Sequence, residues 1–191
     1  MVQCSTDEAS AGKYVDQACR AHLTILDYEL VQNEKTSVKL FFSVLAATDV
    51  SQVGKEMSDY FPCSGGAVAK FLNVAEAVGL ITAAQKKNSL DQKTPRDIDE
   101  TQFKGRQLCA DISIEPKRVR DATGKWIDDP QSTKAYPHVN FDTYSVFDDR
   151  AKDVPKDVQF IAMLQGNAAA AQAAPAQQQQ AAPAEDLSMN F

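Results

Sequence analysis

Residues 38–44 alternate without a break, with Val38, Leu40, Phe42 and Val44 set against Lys39, Phe41 and Ser43. A period of two places the first set on one face of a β-strand and the second on the other. A strand so patterned needs neighbours beside it and a core beneath it, so the chain must build a sheet with one buried face. The same rule finds the remaining strands. His22 to Val31 is rich in β-formers, but its phase slips: Leu23 and Ile25 share one face, then Leu26, Tyr28 and Leu30 take up the next even set. Such a slip marks a β-bulge or a sharp coil in one long strand. Gln32 to Thr36 reads as a turn, and Lys55 to Phe61 as a shorter third strand after a loop over Ala46 to Gly54. Arg106 to Glu115 alternates again with Leu108, Ala110, Ile112 and Ile114 facing in, until Pro116 ends it. His138 to Phe147 supplies a fifth strand.

Between the third and fourth strands the period changes. Val68, Phe71, Leu72 and Ala75 follow helical spacing, Ser64 stands where a cap belongs, and Gly79 suits the left-handed residue past the helix end. Gln85 to Thr101 is polar and contains Pro95, which predicts a long loop, and residues 117–137, with Gly124, Pro130 and Pro137, predict a long excursion between strands. Three strands, one helix and two strands over residues 12–147 predict a mainly β domain, a five-stranded Greek-key barrel of the OB type with the helix plugging one end. Residues 1–11 read as a flexible N-terminus and 148–166 as a connecting segment. Residues 167–191 are nearly all Ala, Gln, Pro and Asn before an acidic tip closing on Phe191, a composition that cannot bury enough apolar area to fold.

Composition removes several classes of function. No apolar run approaches the roughly 20 residues that span a bilayer, and Met1 to Gly12 lacks a basic start followed by an apolar stretch. No membrane partner and a cytoplasmic location are the expectations. The four cysteines (Cys4, Cys19, Cys63 and Cys109) are scattered, with only His22 and His138 as nitrogen partners, so no metal site and no cofactor are expected. No GxxxxGK loop, HExxH motif or nucleophile elbow occurs, the pairs Asp128-Asp129 and Asp148-Asp149 read as solvated loops, and nothing positions Cys63 against His138. The chain is not expected to be an enzyme. Its net charge of −6 argues at first against nucleic acid, yet Lys117, Arg118, Arg120 and Lys125 face only Asp121 between Lys117 and Trp126. The local field, rather than the sum, acts on a ligand.

Three segments carry a resemblance: ELVQNEKTSVKLFFSVL at Glu29–Leu45, DYFPCSGGAVAKFLNVAEAVGL at Asp59–Leu80 and FKGRQLCADISIEP at Phe103–Pro116. Together they resemble phage-encoded single-stranded DNA-binding proteins of the OB class, over about residues 14–147. The tail resembles that of the bacterial single-stranded DNA-binding proteins, in which a Gln/Gly/Pro-rich linker leads to an acidic tip ending in Phe. Here Gln177–Gln180 fill the linker, and Glu185, Asp186, Leu187 and Phe191 form the tip, with Asn190 in place of the Pro expected before Phe191. The resemblance implies non-catalytic, sequence-tolerant coating of single-stranded DNA in replication, recombination or repair, in a bacterial or phage-infected cell. It also implies recruitment of partner proteins by the tip. The alternative is an OB-fold adaptor that binds protein partners and ignores DNA.

Single-strand binding needs cations along a groove and aromatic faces on which bases stack. Lys39 and Phe41 lie on the outward face of the second strand; Phe41 either stacks, meets another copy in a homo-oligomer, or packs under a loop. Lys55 and Tyr60 are the third-strand candidates, with Tyr60 also suited to the core edge. Arg106 opens the fourth strand. The loop beyond it offers Lys117, Arg118, Arg120, Lys125 and the chain's one tryptophan, Trp126, which either stacks a base or folds back to cap the barrel. Tyr136, near Lys134, is a further stacker.

Overall fold

The computed structural model describes residues 12–32, 36–93 and 97–163. The expected N-terminal arm, the linker and the tip residues Glu185, Asp186, Leu187 and Phe191 lie outside the described residues. Two compact units are present, one ending at Asp157 and one beginning at Val158. In the second, residues 158–163 are helical. Among the described residues, no helix is long and apolar enough to cross a membrane.

The first unit is mainly β. Strands β1 (Cys19–Gln32), β2 (Thr36–Ala47), β3 (Glu56–Pro62), β4 (Gln107–Pro116) and β7 (Ala135–Tyr144) form a five-stranded sheet in the order β3-β2-β1-β4-β7. All four pairings are antiparallel. Strand β1 is the axis: its first half, from Cys19 to Thr24, pairs with β4, while β2 follows it from Ala21 to Gln32. The β1–β2 ladder is irregular, and its register shows where. Ile25 pairs with Phe42 but Asp27 with Phe41, so Leu26 is the extra residue of a bulge. This is where the sequence pattern slips from odd to even, since one added residue exchanges the two faces. A second irregularity leaves Leu45 over, between the pairs His22–Ala46 and Leu23–Val44.

Beneath the sheet, Leu23, Ile25, Leu40, Phe42, Phe61 and Leu108 are sealed from water. Each such side chain contributes about 1.5–3 kcal/mol of burial. The Phe42 and Phe61 rings meet edge-on at 6.1 Å. Helix α1 (Val68–Ala77) covers this core with Phe71, Leu72, Val74 and Ala75, and Phe71 packs on Phe103 at 5.6 Å. Gly79 ends α1 at φ +75°; its N–H donates to Glu76 O and that of Leu80 to Ala75 O, which closes the last turn.

Four expectations need correction. Ser64 makes no capping bond; it precedes a 3-10 turn, Gly65–Ala67, that leads into α1. The polar stretch expected as a loop contains a second helix, α2 (Ala83–Asp91), so two helices rather than one separate β3 from β4. Its signal was local: Thr82 Oγ1 accepts from Gln85 N, and Gln85 Oε1 accepts from Thr82 N, a capping box. Periodicity missed it because only Ser89 is buried on α2. Residues 117–137 contain a hairpin of β5 (Arg118–Arg120) and β6 (Trp126–Asp128), a separate two-stranded sheet. Finally, the compact unit runs past residue 147 to Asp157, since Val146, Ala151 and Val154 are buried.

That extension is tied down at a buried histidine. His22 Nδ1 accepts from Asp157 N at 3.1 Å, so Nε2 carries the hydrogen and donates to Gln107 Oε1 at 2.9 Å. Burial pushes the His22 pKa below its ordinary value, and the ring stays neutral. Because the unfolded chain takes the proton more readily, the stability from His22 is complete above the unfolded value near pH ~6.5 and fades as pH falls through it. Urea unfolding of the wild type and His22→Gln should therefore show a stability gap that narrows from about pH 7.5 to about pH 5. A gap that widens toward acid contradicts the neutral assignment.

Candidate nucleic-acid interface

The alternation that buries Leu40 and Phe42 turns Lys39 and Phe41 outward on β2. Lys39 stands in the ladder between Glu29 of β1 and Tyr60 of β3. Its Nζ lies 4.7 Å from the Phe41 ring centre and 5.5 Å from that of Tyr60, with Glu29 Oε2 at 3.5 Å. Phe41 is half-buried and Tyr60 is 51% exposed, so Tyr60 lies outside the core. An ammonium group between two aromatic rings offers a planar base something to stack on and a phosphate something to pair with.

Two other candidates do not join this group. Lys55 Nζ reaches Asp16 Oδ1 at 2.8 Å and Gln52 Oε1 at 3.4 Å, and its side chain is only 14% exposed. The hydrogen bond from Lys55 holds the Asp16 carboxyl below its usual range. Lys55 thus ties residues 13–16 to the loop before β3. Arg106 donates through Nε to Gln102 O and through Nη1 to Val78 O, a carbonyl left over at the end of α1.

The β5–β6 hairpin carries the second group. Ladder pairs Arg118–Asp128 and Arg120–Trp126 share one face, and Val119–Ile127 the other. The Arg120 guanidinium lies 5.2 Å from the Trp126 ring centre, and Trp126 is 52% exposed, away from the core. Asp121 builds the connection: its Oδ1 accepts from Thr123 N, Thr123 Oγ1 and Lys125 N, while Gly124 takes φ +80°. The sequence segment that looked strongly basic stopped short of two acids that belong to it. Asp129 pairs with Lys117 at 3.0 Å, and Asp128 stands 3.9 Å from Arg118. Among the described residues, Arg120 and Lys125 make no ion pair. Lys117 N donates to Lys134 O, which sets the hairpin base against the start of β7, where Tyr136 is 44% exposed opposite Glu115.

Sequence reasoning missed the polar cluster that brings the outer strands together. Asp59 occupies an inward position of β3, between Met57 and Phe61, and is 3% exposed. Its Oδ2 accepts from Val139 N of β7 at 2.8 Å and pairs with Lys70 Nζ of α1 at 2.6 Å. Its Oδ1 faces His138 Nδ1 at 3.1 Å. Among the described residues, no backbone ladder joins β3 to β7; this side chain does so instead. Burial pushes the Asp59 carboxyl up, but His138 and Lys70 outweigh burial and hold it below its usual range. Asp59 in turn raises His138 above its ordinary value against the opposing effect of burial. The available signal was an acid at a core-facing strand position, which must find partners.

A groove of about 1140 Å³, lined by Leu30, Val38, Val68, Phe71, Leu90 and Ile98 among others, opens beside α1 and α2. No protein-family model matches the chain, and no curated protein is similar to it in sequence. The placement of Trp126 has a direct check. Acrylamide should quench its fluorescence well, though less than that of free indole, with the red-shifted emission of a half-exposed ring. A blue-shifted, poorly quenched signal would mean that the hairpin folds back on the core.

Proposed function

We propose that this chain binds single-stranded DNA with little sequence preference, on its outward β2–β3 face and its β5–β6 hairpin, and recruits replication or recombination proteins through its C-terminal tip. The observation that carries this reading is the pair of cation–aromatic groups, Lys39 with Phe41 and Tyr60, and Arg120 with Trp126. Stacking on aromatic faces is open only to bases freed from a duplex, and the cations beside them meet the backbone. The strand order β3-β2-β1-β4-β7, with α1 and α2 between β3 and β4, supports an OB-type barrel left partly open between its outer strands. In that fold this face and these loops are the ones that take up oligonucleotides.

A protein-binding adaptor is the second reading, and the apolar groove beside α1 and α2 favours it. The two separate cleanly, because the groove shares no residue with the aromatic groups.

Oligo-dT should bind more tightly than duplex of the same length. Among the described residues Arg120 and Lys125 have no carboxylate partner, and Lys39 and Arg118 pair with Glu29 and Asp128 at 3.5 Å and 3.9 Å, carboxylates that a phosphate can displace. Four neutralised phosphates give a log–log salt slope near −3, at roughly 0.7 counterions per phosphate. Replacing Tyr60 or Trp126 by Ala should weaken binding by about 1–3 kcal/mol each. Equal affinity for duplex, or full affinity in the Tyr60→Ala, Trp126→Ala double variant, would leave the adaptor reading.

A further inference from the structure

We infer that His138 belongs to the nucleic-acid surface and donates to a phosphate only when its imidazole is protonated, so that strand binding and proton uptake are coupled. The inference rests on the single-strand reading and adds to it a residue with a condition attached.

Position comes first. Val139 points inward and is buried, which turns its neighbour His138 to the outer face of β7 together with Tyr136. On the other side, Tyr60 directly follows Asp59, the residue that grips Val139 and His138. His138 is therefore two residues from the exposed Tyr136 on β7 and bonded to the residue that precedes the exposed Tyr60 on β3. Its side chain is 37% exposed.

Chemistry supplies the condition. Asp59 is an acceptor, so in the neutral ring the hydrogen lies on Nδ1, facing Asp59 Oδ1 at 3.1 Å. Nε2, the nitrogen left for a ligand, is then a bare lone pair and turns away a phosphate oxygen. Protonation makes Nε2 a donor and adds a positive charge without disturbing the Asp59 bond. That charge is not cancelled by Asp59, because Lys70 on α1 already pairs with it at 2.6 Å. The remaining charged groups around the ring are acids: Glu115 and Asp111 on β4 and Asp142 on β7, which line the shallow cavity beside it. Asp111 is held by Arg20 at 2.8 Å, and Glu115 accepts from Ser113 Oγ. These acids favour the protonated ring, while Lys70, which lines the same cavity, is already engaged by Asp59.

The test uses the full chain and oligo-dT, whose bases do not titrate in the range concerned. Salt dependence of binding is measured at about pH 6 and about pH 9, on either side of the histidine range. The wild type should show a slope steeper by about 0.7 at the lower pH, one phosphate more. His138→Gln should lose that difference, and His138→Lys should hold the steeper slope at both pH values. A second readout needs no variant: by linkage, saturating oligo-dT should raise the titration midpoint of the His138 ring in proton NMR, with buried His22 as the internal reference. If oligo-dT binds but His138→Gln keeps the wild-type pH difference, or the midpoint does not move, this inference is overturned while the single-strand reading stands. Failure to bind oligo-dT at any pH removes that reading and this inference with it.

Discussion

A carboxylate that is 3% exposed costs several kcal/mol to desolvate unless donors replace the water it loses. Beyond the neighbouring Tyr60 N–H, which donates to Oδ1 at 2.7 Å, Asp59 recovers that cost from three directions: an amide of β7, an ammonium group of α1 and an imidazole of β7. The donors come from elements far apart in the chain, so satisfying the charge fixes where those elements stand. The outer strands of a curled sheet otherwise present unpaired edges. Here one side chain bridges them, and α1 is anchored by the same atom that accepts from Val139.

The proposed binding surface inherits its shape from that arrangement. Tyr60 follows Asp59 in β3, and His138 precedes Val139 in β7, so both are positioned by the bridge while their side chains face outward. Lys39 reaches Tyr60 across the β2–β3 ladder and extends the surface to Phe41. The hairpin depends on the bridge less. Its turn is built on Asp121, two of its four cations, Lys117 and Arg118, are matched within it by Asp129 and Asp128, and its base is joined by the Lys117 N–H to the Lys134 carbonyl.

Much of this was readable in the sequence, and what was not has a physical reason. Strand β2 announced itself because one face is dry and the other wet, and the Leu26 bulge announced itself as a change of phase. Gly79 and the apolar stripe gave α1. Helix α2 escaped because it buries almost nothing, so its period carries no signal and only the Thr82–Gln85 box remained. The hairpin charges were misjudged because ion pairing joins residues across a ladder, and a window along the chain cut Lys117 from Asp129. Lys55 and Arg106 have the right residue type for a groove, but their partners, Asp16 and the Val78 carbonyl, are set by tertiary placement. His138 and Asp59 are 79 positions apart, a separation no local pattern spans.

The most direct test of the account is amide hydrogen exchange at Val139. Its N–H donates to the Asp59 carboxylate at 2.8 Å, on the side of β7 where no backbone ladder is formed among the described residues, so it should still exchange as slowly as core amides such as that of Val44. In an Asp59→Ala chain that remains folded, Val139 should lose that protection while Val44 keeps it. Fast exchange at Val139 in the wild type, or protection that survives the substitution, would show that something other than Asp59 holds the two outer strands together.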